Sequence, residues 1–189
     1  MKMIDVGGKP RTERVGVARG RLSLAPGTAA RVRAGPVEKG DVLAAARLAG
    51  VMAAKRTPDL VPLCHPIALS GVEVEIEVLC SALVVTATVR TVDRTGVEME
   101  ALTAVAAACL IAYDMLKRYE RGMRIEAVEL IEKRGGRSGV WAREPRSPAG
   151  RAGGTPARSR RRPAGRPRPR ARPARAGRRP GAGRAGPRR

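Results

Sequence analysis

Phenylalanine is absent from this 189-residue chain, and aromatic or imidazole rings are limited to two tyrosines, one tryptophan and one histidine. A hydrophobic core must therefore be built from Val, Leu, Ile, Ala and Met, without the large flat side chains that often anchor one. The three cysteines, Cys64, Cys80 and Cys109, are odd in number and scattered, with neither disulfide-framework nor metal-ligand spacing. That usage excludes a disulfide scaffold and points to a reduced, cytoplasmic setting. The N-terminus carries no hydrophobic signal core, and no apolar run reaches the roughly 18 residues of a membrane span. Secretion and membrane insertion are therefore not expected.

Charge is unevenly placed. Residues 143–189 hold 17 arginines, no lysine and one acid, Glu144, a net +16 out of +21 for the whole chain, which leaves +5 for residues 1–142. The same stretch has nine of the 15 prolines and no Val, Leu, Ile, Met or aromatic residue, so it has nothing with which to offset its ordering entropy. The composition predicts a folded domain over 1–142, long enough for one ordinary core, and a disordered Arg/Pro/Ala/Gly-rich tail over 143–189. A run of arginines can bind a nucleic-acid backbone by releasing counterions. Against that partner, the tail has no stacking aromatics and the folded part is only mildly basic.

Periodicity outlines the domain. Arg14–Leu24, with Val15, Val17, Leu22 and Leu24, reads as a strand ended by Pro26–Gly27, and Thr28–Arg33 as a short helical turn. Asp41 stands as an N-cap before Val42, Leu43, Ala46, Ala49, Ala53 and Ala54, one face of a helix that Thr57–Pro58 stops. Gly71–Val78 alternates without exception: Val72, Val74, Ile76 and Val78 on one side, Glu73, Glu75 and Glu77 on the other. Across a Cys80–Ser81 turn, Leu83–Val92 completes a hairpin with Leu83, Val85, Ala87 and Val89 inward, and the acids can meet Thr86, Thr88 and Arg90. Thr95-Gly96-Val97-Glu98 fits a capping box at the start of a long helix whose buried stripe is Met99, Leu102, Ala106, Cys109, Tyr113 and Leu116, with Gly122 as its stop. Ile125–Ile131 is the last strand.

This order is the split β-α-β signature of an α+β, ferredoxin-like sandwich with an antiparallel sheet and both helices on one face. The Leu83–Val92 strand is apolar on both sides, which predicts association through the sheet or its edge.

Several segments carry chemistry. The only histidine, His65, lies in Lys55–Ser70, a connector braced by Pro58, Pro62 and Pro66, through which neither a helix nor a central strand can run. Lys55 and Arg56 flank it. Asp114 and Lys117, three apart near the end of the long helix, share a face and favour each other's charged state. Glu98-Met99-Glu100 opens that helix, where its dipole favours negative charge. Lys133-Arg134-Gly135-Gly136-Arg137-Ser138-Gly139 offers cations and backbone amides to phosphate, and Lys39 adds a cation on a turn. Taken singly, each has an ordinary structural explanation; together they point to a polyanionic small molecule.

The strings Lys39-Gly40-Asp41-Val42, Ala53-Ala54-Lys55-Arg56-Thr57, Leu63-Cys64-His65-Pro66, Thr95-Gly96-Val97-Glu98-Met99-Glu100-Ala101-Leu102-Thr103 and Tyr113-Asp114-Met115 closely resemble the cyclic pyranopterin monophosphate synthase family, molybdenum cofactor biosynthesis protein C, from about Met3 to Gly139. The resemblance implies a ferredoxin-like protein that assembles as a homohexamer, a trimer of dimers, with active sites at subunit interfaces. It implies a phosphorus–oxygen lyase acting downstream of a radical GTP cyclase. The reaction converts a cyclised dihydro-GTP (3',8-cyclo-7,8-dihydro-GTP) to cyclic pyranopterin monophosphate and releases pyrophosphate. By the same resemblance Asp114 and Lys117 are catalytic, and Leu63, Cys64, His65, Met99, Glu100, Lys39 and Lys133 bind substrate. No cofactor is required and no metal site is implied, although Mg²⁺ can accompany the substrate phosphates. The chain departs from the family's Lys-Ser-Gly-Gly-Lys-Ser-Gly loop at Arg134 and Arg137, and in having the tail. A ferredoxin-like fold also serves non-catalytic modules, so the fold alone does not decide function.

Overall fold

Alternating and helical periodicities become, in order, β1 (Thr12–Ser23), α1 (Pro26–Arg33), α2 (Val42–Lys55), α3 (Thr57–Leu60), β2 (Gly71–Leu79), β3 (Ala82–Asp93), α4 (Glu98–Leu116), β4 (Arg124–Arg134) and β5 (Trp141–Ala142). This is a computed structural model, and it describes residues 1–144. The expectation of a disordered tail falls on residues 145–189, outside the described residues, apart from its first two positions.

The sheet runs β2-β3-β1-β4-β5 and is antiparallel throughout. The first four strands have the ferredoxin-like order, and β5 adds a two-residue edge that the sequence did not announce. The hairpin forms as its alternation requires: Leu79 pairs with Ala82 across Cys80–Ser81, Glu75 faces Thr86, and Glu73 faces Thr88. Leu83, Val85, Ala87 and Val89 are fully buried. α2 and α4 pack on each other and on this side of the sheet. Asp41 caps α2 as expected, with Oδ1 accepting from the amides of Leu43 and Ala44.

β1 turns a different face to the core from the one its valines suggest. Residues two apart share a side of a strand, so Val15 and Val17 cannot lie with Leu22 and Leu24. The buried side is Gly16, Ala18, Gly20, Leu22 and Leu24, and the valines lie half-buried on the opposite one. Space explains the choice. A methyl on Gly16 would sit 2.8 Å from the carbonyl oxygen of Val97, and one on Gly20 would sit 2.5 Å from Val105 Cγ1.

α4 also differs from its expected stripe. Ala101, Ala104, Val105, Ala108, Cys109, Ala112, Met115 and Leu116 are buried, whereas Met99 is 40 % exposed and Ala106 is on the outside. The helix is apolar nearly all round, so hydrophobicity does not select a face; small residues mark the side that approaches the sheet and α2. It is long and apolar enough to cross a membrane by length and composition, yet half of it is buried within this domain. The expected capping box does not form. Val97 is the N-cap without a side-chain hydrogen bond, and the Glu98 carboxylate folds back over Gly96. At the other end α4 stops at Leu116 with Lys117 as its cap, well before Gly122.

Two prolines open helices. Pro26 begins α1, and Pro58 sits in the first turn of the four-residue α3, where a missing N–H costs nothing. The connector after Lys55 thus contains one helical turn before it becomes irregular.

Gly20→Ala should lose about 1–3 kcal/mol of stability from overpacking against Val105. Ala127 is the single described non-glycine residue at positive φ (46°), next to the irregular β1–β4 register between Arg19 and Arg21. Ala127→Gly should be neutral or stabilising by up to about 1 kcal/mol, since relief of left-handed alanine is partly offset by glycine's backbone entropy. Urea denaturation of both variants checks the pair.

Candidate active site

The end of α4 and the turn before α2 meet around one carboxylate. Lys117 caps α4, where the carbonyl ends favour an ammonium group, and its Nζ lies 2.6 Å from Asp114 Oδ1. Lys39 lies in a tight turn closed by paired backbone bonds between Val37 and Gly40. Its Nζ donates to Asp114 Oδ2 at 2.7 Å and to the Asp114 carbonyl at 3.1 Å. Arg118 pairs with Glu38, and the Glu38 amide donates to the Tyr119 hydroxyl, so the turn is fastened to the helix end. Lys39, Tyr113, Asp114, Lys117, Arg118 and Arg121 line an open cleft of about 450 Å³. Hydrogen bonds from Lys117 and then Lys39 hold the Asp114 carboxyl down at about 2, against an ordinary 3.8. Asp114 is an anion clasped by two cations.

At the opposite end of α4 the connector supplies another wall. Leu63, Cys64, His65 and Met99 line a cleft of about 370 Å³ together with Glu98, Thr95 and Gly96, and with Lys2, Ile4, Val6 and Lys9 of the N-terminal segment. Glu100, 2 % exposed, lies behind this wall. Its Oε1 accepts a hydrogen bond from the Cys64 thiol at 3.5 Å, and Oε2 has no partner. Burial raises the Glu100 carboxyl above its usual range, outweighing its own amide and the thiol, which favour the charged form. Burial first, then the nearby Glu100, push the Cys64 thiol up to about 11, so it stays a thiol.

Next to that cleft, and sharing Lys9, Thr95 and Gly96 with it, is a cationic one of about 790 Å³ lined also by Arg14, Arg94, Gly136, Arg137 and Ser138. The Arg14 guanidinium is tied to the backbone, Nε to the Asp93 carbonyl and Nη2 to the Arg94 carbonyl, both at 3.3 Å. Gly136, at φ 74°, lies so close over it that a side chain there would meet Arg14 Nη1. Lys133 donates to Ser138 and thereby closes the loop on itself. Of the two unusual arginines, Arg137 lines the cleft, whereas Arg134 turns away to pair with Glu132.

The structure therefore gathers the candidate residues into two groups. Lys39, Asp114 and Lys117 are together; Leu63, Cys64, His65, Met99 and Glu100 are together, with Lys133 beside the adjoining cationic cleft. The 14-residue step from Glu100 to Asp114 puts about 21 Å of helix between the groups. Lys55 and Arg56 join neither; Arg56 borders an apolar groove formed by Met52, Leu60, Ala107, Leu110 and Ile111. Arg14, Arg94 and Lys9 are site residues that the sequence reading passed over. A signal existed for Lys9, since Gly7-Gly8-Lys9 repeats the Gly135-Gly136-Arg137 pattern. Arg14 has none, because an arginine within a strand looks like any solvated position.

The profile of the MoaC family matches residues 3–136. The cyclic pyranopterin monophosphate synthase of Thermomicrobium roseum is 60 % identical over 145 residues, 76 % of this chain and 87 % of that protein. The synthase of Novosphingobium aromaticivorans is 54 % identical over 140 residues (74 % and 89 %), and that of Streptomyces coelicolor 53 % over 142 residues (75 % and 84 %).

A carboxyl depressed to about 2 stays ionised until the pH falls below 3.8 and towards 2, so its clasp contributes fully above that window and is lost within it. A carboxyl-carbon NMR titration should show Asp114 unchanged from neutral pH to about pH 4 and protonating near pH 2. In Lys117→Met its midpoint should move up towards 3.8.

Proposed function

The chain belongs to the MoaC family, and from that premise we propose that it is a cyclic pyranopterin monophosphate synthase. Its substrate would be the cyclised dihydro-GTP supplied by a radical GTP cyclase, and its products the cyclic pyranopterin monophosphate and pyrophosphate. The observation that carries this reading is the clasp of Asp114 by Lys39 and Lys117. Ring opening and pterin closure need protons delivered and removed at neighbouring atoms. With Asp114 ionised, the lysine ammonium groups are the proton donors, the carboxylate orients them and favours their charged form, and a lysine that has given its proton up takes one back from the ring position that loses it or from water. The cationic cleft supplies the complementary part. Expulsion of pyrophosphate builds negative charge, and Lys9, Arg14, Arg94 and Arg137 of this cleft are cations that would stabilise it, with Lys133 behind them on Ser138. At Arg137 the guanidinium keeps its proton, so this position acts by charge alone. Mg²⁺ enters only as an ion carried on the substrate phosphates.

One substrate cannot reach both groups across about 21 Å of helix within one chain, which favours a site completed by a second copy. Residue 107 lies midway between Glu100 and Asp114, and Ala107 borders the apolar groove whose rim includes Leu110, 60 % exposed. A two-fold axis through that groove would set two α4 helices antiparallel. It would carry Asp114 of one copy towards Glu100 of the other. Three such dimers would make the homohexamer that the resemblance implies.

Incubation with the cyclic dihydro-GTP should release pyrophosphate with the wild type, and Asp114→Ala or Lys117→Ala should lower kcat by about a hundredfold or more. Equal activity in all three refutes the assignment. If sites are shared across a two-fold interface, co-refolding equal amounts of the inactive Asp114→Ala and His65→Ala chains should recover about a quarter of wild-type activity, because half the dimers are mixed and each mixed dimer has one intact site. No recovery would place each site within one chain.

A further inference from the structure

Lys39 and Lys117 reach the same carboxylate by different means. Lys117 caps the helix that carries Asp114, three residues on, so the backbone of α4 sets their separation. Lys39 comes from a turn 75 residues earlier, and a lysine on its flexible four-carbon stem is placed no better than the backbone it hangs from. That turn has Gly35 and Gly40 at its ends, both at positive φ (121° and 110°), and Pro36, Glu38 and Lys39 are exposed. Paired bonds between Val37 and Gly40 fix its shape, and Val37 packs on the core. Its place against the end of α4 depends on Glu38. The carboxylate of Glu38 meets the Arg118 guanidinium, and its amide donates to the Tyr119 hydroxyl at 3.4 Å. Tyr119 is itself held: its amide donates to the Leu116 carbonyl at 2.8 Å, and the Arg31 guanidinium in the last turn of α1 lies 4.5 Å from its ring centre.

We infer that Glu38, Arg118 and Tyr119 are positioning residues that hold the ammonium of Lys39 on Asp114, so that the carboxylate keeps a counter-charge when Lys117 turns to the ligand. The ligand rests on the synthase reading; the placement of Lys39 stands without it. The charged and titratable groups that face Asp114 are Lys39 from the turn, and Tyr113, Lys117, Arg118 and Arg121 from α4 and the residues after it. Loosening Lys39 removes a hydrogen bond from the anion for part of the time and raises the Asp114 midpoint. Removing the Glu38 charge acts by itself in the opposite sense, because a neighbouring anion disfavours ionisation. Tyr119→Phe changes no charge at all. The sign of the shift therefore separates placement from field.

Glu38 and Tyr119 are both exposed, so the Glu38→Gln/Tyr119→Phe chain leaves the core intact. Carboxyl-carbon NMR should show its Asp114 midpoint raised from about 2 partway to 3.8. Added to Lys117→Met, where Lys39 is the remaining clasp, the same two changes should carry it the rest of the way. A midpoint at or below that of the wild type overturns the inference. Glu120→Ala is the control for a merely structural effect. Glu120 accepts from the Ala25 amide at the start of α1 at 2.8 and 3.0 Å, so its loss should lower stability and leave the Asp114 midpoint in place. An equal rise in that variant would make the shift a general loosening and overturn the inference too. With the cyclic dihydro-GTP, kcat of the Glu38→Gln/Tyr119→Phe chain should fall about threefold to tenfold at a KM within about twofold of wild type, since an exposed pair is worth about fivefold at most in an equilibrium and two ties are lost. An unchanged kcat refutes the role in turnover. The titration needs no turnover, so a wild type that releases no pyrophosphate would fault the synthase reading alone.

Discussion

α4 rests on β1 along a seam where Gly16, Ala18 and Gly20 face it, and the space left there admits no larger side chain. Close approach of this kind trades individual side-chain area for many short contacts along two backbones. It suits a chain without phenylalanine, whose buried helix face is mainly alanine and valine. The same seam brings Val97, the residue that caps α4, down onto Gly16, and that sets the depth of the first turn. Glu100 is buried as a consequence. α4 then acts as a rod of set length, with an uncompensated carboxyl at one end and a doubly compensated carboxylate at the other.

Much of the fold could be read before any coordinates. The alternation of β2 and β3 leaves one solution, since a one-residue slip would bury Glu73, Glu75 and Glu77. Asp41 marked the start of α2 because a carboxylate two residues before free amides has few other uses. Faces were less legible than elements. β1 buries glycines and an alanine that a hydrophobicity ranking puts last, and α4 is apolar on every side. In both cases the deciding quantity is the gap between two elements, which no single segment encodes. The capping box at Thr95 failed for a related reason: Val97 is pinned by its contact with Gly16 and takes the cap position itself.

The site was legible as a set of residues and not as an arrangement. Spacing put Asp114 beside Lys117, and the structure adds Lys39 from a turn 75 residues earlier. Cys64 and Glu100, 36 residues apart, look unrelated until the connector folds over the first turn of α4. Arg14 and Arg94 owe their place to the β1–β3 register, which sets Thr12 opposite Asp93. Long-range pairing created these neighbours, and local sequence carries little trace of it. What the sequence did convey was the sum of the charges, and hence the kind of ligand.

Trp141 is the only tryptophan in the chain. It pairs with Lys133 across the β4–β5 ladder, and the Arg143 guanidinium lies 5.8 Å from its ring centre. Arg143 is itself moored to β4, its amide to the Ile131 carbonyl, its Nε to the Leu130 carbonyl and its guanidinium to Glu129. The ring is 42 % exposed and stands at the foot of the loop that contributes Gly136, Arg137 and Ser138 to the cationic cleft. The protein's tryptophan emission therefore arises from a single indole beside that loop. With no second indole to average against, its colour and intensity are an intrinsic optical gauge of the loop's state, available without labels or engineered probes.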